Sequence, residues 1–235
     1  MTLKDAMKLL AAKGTEATKK MWLKHGGREP LFGVKVGDMK ILHKQLKGEQ
    51  ALALELYATG NGDAQYLAGM IADGRKMTAK ELDTWAKTAS WDMISGSTVP
   101  WVASEHPEGF ALALKWIEAK NEQTARAGWA TLSALATTIP DADLPMVEYG
   151  KLLDRVVREM PKAPGGVRYS MNSFMICCGT YLAPLGQKAI ATARAVGLVE
   201  IDMGDTACKV PDAEEYIIKA RRGAAVAPKR KTVRC

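Results

Sequence analysis

Cysteine and histidine are scarce in this chain, which contains four cysteines and three histidines in 235 residues. No Cys-x-x-Cys pair is present, two of the cysteines are adjacent, and no two histidines have the i, i+4 spacing of a helical metal site. We therefore predict reduced thiols, no metal and no cofactor. The cysteines are Cys177, Cys178, Cys208 and Cys235, and the histidines are His25, His43 and His106.

Long hydrophobic runs are also missing from the sequence. No apolar segment approaches the roughly 20 residues that are needed to cross a bilayer. Lys4, Asp5 and Lys8 interrupt the N-terminus where a signal peptide would have its apolar core. We therefore expect a cytoplasmic protein that does not associate with membranes.

The charge of the chain is distributed unevenly. Residues 1–48 contain 11 basic and 4 acidic residues, residues 49–218 contain 15 basic and 22 acidic residues, and residues 219–235 contain seven basic residues and no acidic one. Two basic ends are typical of a protein that holds a polyanion from two sides, because Lys and Arg near phosphates release counterions. A solvated N-terminal face and a soluble tail explain the pattern equally well, so charge alone leaves nucleic-acid binding open.

Helical patterns recur along the chain, and 47% of its residues are hydrophobic, which is enough for one large domain. Apolar stripes at helical spacing, a Thr78–Glu81 capping box and an N-cap candidate at Asn121 alternate with Gly- and Pro-rich breaks. This pattern predicts an all-α protein, a superhelical stack of antiparallel helix pairs that forms a single domain over residues 1–222. Residues 223–235 are basic and linker-like, and we expect them to form a disordered tail.

One segment departs from the helical pattern. Apolar residues alternate with acidic ones over 199–203, Gly204-Asp205 follows, and a second short apolar run ends at Pro211. Such alternation around a glycine-first turn is typical of a β-hairpin, which we predict near residues 199–210.

A short run around Trp91 is the strongest candidate for a catalytic site. On a helix, Trp91 and Ser95 lie one turn apart on the same face, so an aromatic ring and a small polar group point the same way. Gly96 and Pro100 are expected to interrupt that helix and to expose backbone groups beside the motif. In the alternative interpretation, Trp91 anchors the core and Asp92 interacts favourably with the helix dipole.

Four short segments carry a resemblance to a known family. They are the Phe32-Gly33-Val34-Lys35 run, the Trp91-Asp92 pair, Arg126 within Thr124–Trp129, and the ending 202–211 together with Lys229-Arg230-Lys231. These segments span most of the chain, and together they resemble the AlkD-like DNA alkylation repair family. The resemblance implies HEAT-like helix pairs curved around DNA. Active members of that family remove cationic alkylated purines such as 3-methyladenine and 7-methylguanine.

The resemblance also implies catalytic residues. Glycosylases of this family use a Trp and, four residues later, an Asp whose carboxylate stabilises the cationic sugar. Trp91 matches the aromatic residue, and Ser95 occupies the carboxylate position. Asp92 is the nearest carboxylate, roughly 60° around and about 4.5 Å along a helix from Ser95. The candidate catalytic residues are therefore Trp91, Asp92 and Ser95. The family's glycosylases also use a second Trp from a later helix, where this sequence offers Phe174 or Tyr181 but no Trp.

DNA contacts are expected from residues at family positions and from the basic tail. The candidate DNA-binding residues are Phe32, Lys35, Lys40, Arg126, Lys229, Arg230 and Lys231. The alternative interpretation of Lys35 and Lys40 is a solvated helix face.

Three functions remain open from the sequence. The first is an alkylpurine DNA glycosylase. The second is a non-catalytic binder of damaged or branched DNA, because the family includes relatives without glycosylase activity. The third is a helical-repeat scaffold for other proteins. We favour a monomer that binds DNA over a scaffold, because Arg126 and the basic N-terminal segment match family positions that face phosphate.

Overall fold

The computed structural model describes residues 1–202, 206 and 208–234 of the chain. These residues form α-helices joined by turns and by a few longer segments, and none of them forms a strand. No helix among them is long and apolar enough to cross a membrane. In chain order the helices are α1 (Leu3–Lys13), α2 (Glu16–Lys24), α3 (Val36–Leu46), α4 (Gln50–Ala58), α5 (Gly62–Ile71), α6 (Ala79–Thr88), α7 (Val99–Ala103), α8 (Gly109–Ile117), α9 (Glu122–Thr138), α10 (Met146–Glu159), α11 (Gly165–Tyr181), α12 (Gly186–Val196) and α13 (Ala213–Arg221).

Local capping interactions begin several of these helices. The Glu81 backbone N–H donates to the Thr78 hydroxyl at 3.2 Å, and the Thr78 N–H donates to the Glu81 carboxylate at 2.7 Å. Asn121 caps α9 by accepting the Thr124 N–H at 3.0 Å. A side-chain cap of this kind stabilises a helix by about 1 kcal/mol. The predicted capping box and the predicted cap at Asn121 are both confirmed.

The helices stack in an order that follows the chain. Helix α4 packs against α5, α8 against α9, α9 against α11, and α11 against α12 and α13. One hydrophobic cluster extends from Ala6 to Ala127 and a second from Ala113 to Ile217, so the two clusters meet at α8 and α9. Helices α9 and α11, each of 17 residues, contribute many of the buried side chains of the second cluster. The predicted all-α stack of HEAT-like helix pairs is confirmed.

The predicted β-hairpin near residues 199–210 is wrong for the described part of that segment. Residues 199–202 and 208–210 form no strand, and the predicted turn at 204–205 lies outside the described residues. Val199 packs against the second hydrophobic cluster. Ile201 lies close to the start of α11: if Gly165 carried a Cβ atom, that atom would be 3.2 Å from Ile201 Cγ2. Helices therefore cover these apolar residues, which need no partner strand.

The basic tail lies against the helices, although its composition predicts disorder. The Ala227 N–H donates to the Thr180 carbonyl at 2.9 Å, near the end of α11. The Arg230 N–H donates to the Thr137 carbonyl at 3.0 Å, near the end of α9. The last carbonyl groups of a helix have no partner within the helix, so the ends of α9 and α11 offer acceptors to a crossing segment.

Two tail cations add ion pairs to these backbone contacts. Lys229 lies 2.8 Å from the Asp141 carboxylate. Arg234 contacts both oxygens of Glu105, at 2.5 and 2.8 Å, and donates to the Gly69 carbonyl at 2.6 Å near the end of α5. The tail therefore runs from α13 back to the first half of the stack. Composition alone could not predict this path, because it depends on carboxylates and helix ends that are distant in sequence.

We expect the Arg234→Ala variant to lose about 1 to 3 kcal/mol of unfolding free energy, because the change removes charged hydrogen bonds and leaves Glu105 without its arginine. Urea denaturation followed by circular dichroism measures the loss. The control is Arg194→Ala, which removes an exposed ion pair with Glu214 and should cost less than about 1 kcal/mol. Equal unfolding midpoints for both variants would contradict a bound tail.

Candidate nucleic-acid interface

A cleft of about 760 Å³ opens beside the N-terminal ends of α9 and α11. Its other walls are the C-terminal end of α2, the segment 91–97, and residues 201, 202 and 206. The fold thus gathers five parts of the chain that are separated in sequence. We call this space the main cleft.

The segment before α7 is not a regular α-helix. Residues Ile94–Thr98 form a π turn, in which the Val99 N–H donates to the Ile94 carbonyl five residues earlier. Pro100 has no N–H with which to continue the usual i to i−4 pattern, so the helix changes register there. The predicted interruption is confirmed, and it places Gly96 in the wall of the main cleft.

Asp92 is held by two side chains of α9. Its Oδ2 atom lies 2.6 Å from Arg126 Nη1, and its Oδ1 atom accepts a hydrogen bond from Gln123 Nε2 at 2.7 Å. The other end of the Gln123 amide accepts the Ser95 hydroxyl at 2.5 Å. The Asp92 side chain is 46% exposed, whereas that of Arg126 is 12% exposed. The structure therefore joins Asp92, Ser95 and Arg126 in one polar network through Gln123, a residue that the sequence analysis missed.

Trp91 and Ser95 are buried parts of this wall. Trp91 is 3% exposed, and its ring lies 5.9 Å from that of Trp22 at 58°. The N-terminal end of α5 approaches it closely, because a Cβ on Gly62 would lie 3.1 Å from the Trp91 indole nitrogen. Ser95 is 0% exposed. Trp91 therefore packs as a core residue as well as bordering the main cleft.

The Arg126 guanidinium lies in a narrow slot. A Cβ on Gly96 would lie 3.0 Å from Arg126 Nε, and a Cβ on Gly166 would lie 3.0 Å from Arg126 Nη1. The Arg126 guanidinium carbon also lies 5.6 Å from the centre of the Tyr169 ring, within cation–π range. Glu122 accepts the Gly166 N–H at 2.8 Å and so holds the start of α11 beside the slot. Two glycines and one aromatic ring thus fix the position of the arginine.

Three basic side chains border the main cleft at the end of α2. Lys24, His25 and Arg28 are exposed there, and no carboxylate forms an ion pair with any of them in the described part of the chain. The sequence analysis did not select them. The sequence pattern that could have indicated them is a group of basic residues around Gly26-Gly27. Glycines allow a tight turn at the end of a helix, so this pattern predicts basic side chains at the end of α2.

The Phe32-Gly33-Val34 run is fixed by a buried carboxylate. Asp63, near the start of α5, accepts the backbone N–H groups of Phe32 at 2.6 Å, Gly33 at 2.9 Å and Val34 at 2.9 Å. Burial raises the pKa of the Asp63 carboxyl, and the three donors act against this increase. Gly33 has a φ of +79°, and a Cβ atom added to it would lie 2.4 Å from the backbone nitrogen of Lys19. This run is a structural element of the first cluster.

Other predicted site residues lie outside the main cleft. Lys35 and Lys40 are exposed at and after the start of α3. Residues 229–231 lie near the C-terminal end of α9, roughly 17 Å along that helix from Arg126 in the cleft. Phe174 is buried between the rings of two core residues, and Tyr181 borders a separate groove beside α13. Of the predicted DNA-binding residues, Arg126 is the one that borders the main cleft.

The described residues contain no cluster of three or more His, Cys, Asp or Glu that could hold a metal ion. Cys177, Cys178 and Cys208 are free thiols, and Cys235 lies outside the described residues. Burial raises the pKa of the Cys177 and Cys178 thiols, so both are protonated at neutral pH. Cys178 is a buried core residue of α11, and the half-buried Cys177 packs against the second cluster.

A stack of helix pairs with a polar cleft at the helix ends defines a helical-repeat protein of the HEAT-like type. The chain belongs to the DNA alkylation repair enzyme family, whose sequence model matches residues 4–213. The resemblance carried by the sequence segments is therefore confirmed.

Similar proteins cover nearly the whole chain. An uncharacterised protein of Listeria innocua is 34% identical over 210 residues, which are 87% of this chain and 90% of the relative. An uncharacterised protein of Listeria monocytogenes is 33% identical over the same shares. A solved structure with 35% identity and a TM-score of 0.90 covers 100% of both chains. It is described as a new family of proteins related to the HEAT-like repeat DNA glycosylases with affinity for branched DNA structures.

Proposed function

We propose that this protein binds DNA without excising bases, and that it prefers branched DNA to linear duplex. The observation that carries this proposal is the engagement of Asp92 by Arg126 and Gln123. It makes the non-catalytic alternative the better match to the geometry of the main cleft.

A glycosylase needs a carboxylate whose charge is free to stabilise a cation-like sugar. The Arg126 guanidinium, 2.6 Å away, offsets the charge of Asp92. The position one turn after Trp91 holds a buried, neutral serine. Both features weaken the electrostatic stabilisation on which base excision depends.

The surroundings of the main cleft favour a polyanion. Lys24 and Arg28 are exposed at its border, and cations placed near phosphates release counterions from DNA. The affinity of the 35% identical solved relative for branched DNA supports the choice of ligand.

We expect the wild-type protein to bind a four-way DNA junction at least about tenfold more tightly than a duplex of equal length, a difference of about 1.4 kcal/mol. The Lys24→Ala/Arg28→Ala variant should lower the slope of log K against log salt by about two units, since each lost phosphate contact lowers it by about one. Fluorescence anisotropy over a salt series measures both quantities. A parallel assay should detect no release of 7-methylguanine from methylated DNA.

The matched control is the Lys151→Ala/Lys188→Ala variant, which removes the same formal charge from exposed positions on α10 and α12. Its salt slope should equal that of the wild type. Equal affinity of the wild type for junction and duplex would contradict the proposed preference for branched DNA. Efficient base release would restore the glycosylase hypothesis, and salt-independent binding would contradict a phosphate interface.

A further inference from the structure

A second cavity of about 460 Å³ lies on the other side of the start of α11. Its walls come from the N-terminal part of α9, the C-terminal end of α10 and the first turns of α11. Glu122 borders both this cavity and the main cleft, so the two spaces are neighbours. We call the second space the edge cavity.

The edge cavity has basic residues without partners on its rim. Lys120, Arg158 and Lys162 are exposed, and within the described ranges none of them forms an ion pair. Its two carboxylates are both engaged. Glu159 pairs with an arginine one turn earlier on α10 at 2.7 Å, and Glu122 accepts the backbone N–H at the start of α11 at 2.8 Å. The rim therefore carries a net positive charge, because its three cations outnumber its two carboxylates.

The floor of the edge cavity is apolar. Ile117, Val167 and Met171 contribute buried side chains to it. Trp129 also borders the cavity, and its buried indole N–H has no hydrogen-bond partner among residues 1–202, 206 and 208–234. Because Trp129 is 0% exposed, a ligand in this cavity meets mainly the apolar side chains of the floor. The flat face of a nucleobase suits such a floor.

We propose that the edge cavity binds one unstacked nucleotide from the single-stranded part of a branched DNA. The nucleotide's phosphate contacts Lys120, Arg158 and Lys162, and its base lies against the apolar floor. The cavity's volume falls within the range of about 300 to 1,000 Å³ that is usual for small-ligand sites. This inference rests on the proposed function and adds a second site to it: duplex binds at the main cleft, and the unpaired strand crosses the start of α11 into the edge cavity.

The test compares a fluorescent duplex that carries a single-stranded flap with the same duplex without the flap. The Arg158→Ala/Lys162→Ala variant should bind the flap DNA at least about tenfold more weakly and keep its duplex affinity within about twofold. Its salt slope on flap DNA should fall by about 1.4 units, because each single-strand phosphate contact contributes about 0.7. The Lys151→Ala/Lys188→Ala variant removes equal charge elsewhere and should bind both DNAs like the wild type.

A variant that changes no charge tests whether the nucleotide enters the edge cavity, as distinct from a general electrostatic attraction between the protein and DNA. Ala163→Trp places a large side chain at the half-buried border of the edge cavity and should weaken flap binding alone. A melting curve confirms that each variant is folded. Unchanged flap affinity in the folded Arg158→Ala/Lys162→Ala variant, or an equal loss for flap and duplex, would overturn the edge-cavity proposal. A wild type that binds neither DNA would instead overturn the proposed function.

Discussion

The Asp92→Asn variant is expected to bind DNA more tightly than the wild type, by about threefold to tenfold. Asp92 is a half-exposed negative charge in the main cleft, and it holds the guanidinium of Arg126 at 2.6 Å. Removing that charge releases the arginine for phosphate and removes a repulsion from the cleft. Arg126→Ala has the opposite effect: it leaves Asp92 without its cation and should weaken binding by about tenfold or more. Anisotropy titrations at a fixed salt concentration of about 0.1 M, where the Debye length is about 10 Å, measure both changes.

The control for formal charge is Asp154→Asn. Asp154 is also half-exposed and also pairs with one cation, Lys188 at 2.8 Å, but it does not border the main cleft. Its substitution should change DNA affinity by less than about twofold, because exposed charges beyond a Debye length are screened. If Asp92→Asn left DNA affinity unchanged and abolished a base-release activity of the wild type, Asp92 would be a catalytic carboxylate.

The Asp63→Ala variant is expected to lose at least about 3 kcal/mol of unfolding free energy. The change leaves three backbone N–H groups of the Phe32–Val34 run without their acceptor, and each buried orphan donor costs about 1 to 3 kcal/mol. Asp63→Asn keeps one acceptor oxygen and should lose less. Urea denaturation followed by tryptophan fluorescence measures the difference.

The control for Asp63 is Asp38→Ala on α3. Asp38 has one distant contact, with Lys13 at 4.0 Å, so its removal should change the unfolding free energy by less than about 1 kcal/mol. A similarly small loss for Asp63→Ala would mean that water satisfies the three N–H groups. The run would then not depend on Asp63 for its position.

Local signals in the sequence were sufficient to predict the helices. The Thr78–Glu81 capping box and the Asn121 cap act within four residues of the chain, so their geometry follows from the residue types alone. The interruption before α7 has the same local origin in a proline that lacks an N–H. The family resemblance then supplied the order in which helices of this kind stack.

The contacts of the site could not be predicted in the same way. Gln123 lies 31 residues from Asp92, and Asp63 lies 29 to 31 residues from the N–H groups that it accepts. No periodicity in the sequence indicates such pairs. The hairpin prediction was wrong for a related reason. The alternation of apolar and acidic residues shows which side chains pack against other parts of the protein, but not against which element. In this fold the apolar side chains pack against helices at the mouth of the main cleft.

The path of the tail alters how this stack should lose its structure. In most solenoids each repeat touches only its neighbours, so the ends fray independently of one another. Here Arg234 contacts the Gly69 carbonyl across 165 positions of sequence, which links the last segment of the chain to α5. Opening either half of the stack must break this long-range link. The two hydrophobic clusters are therefore coupled in local unfolding, and amide hydrogens in both should exchange as one cooperative unit.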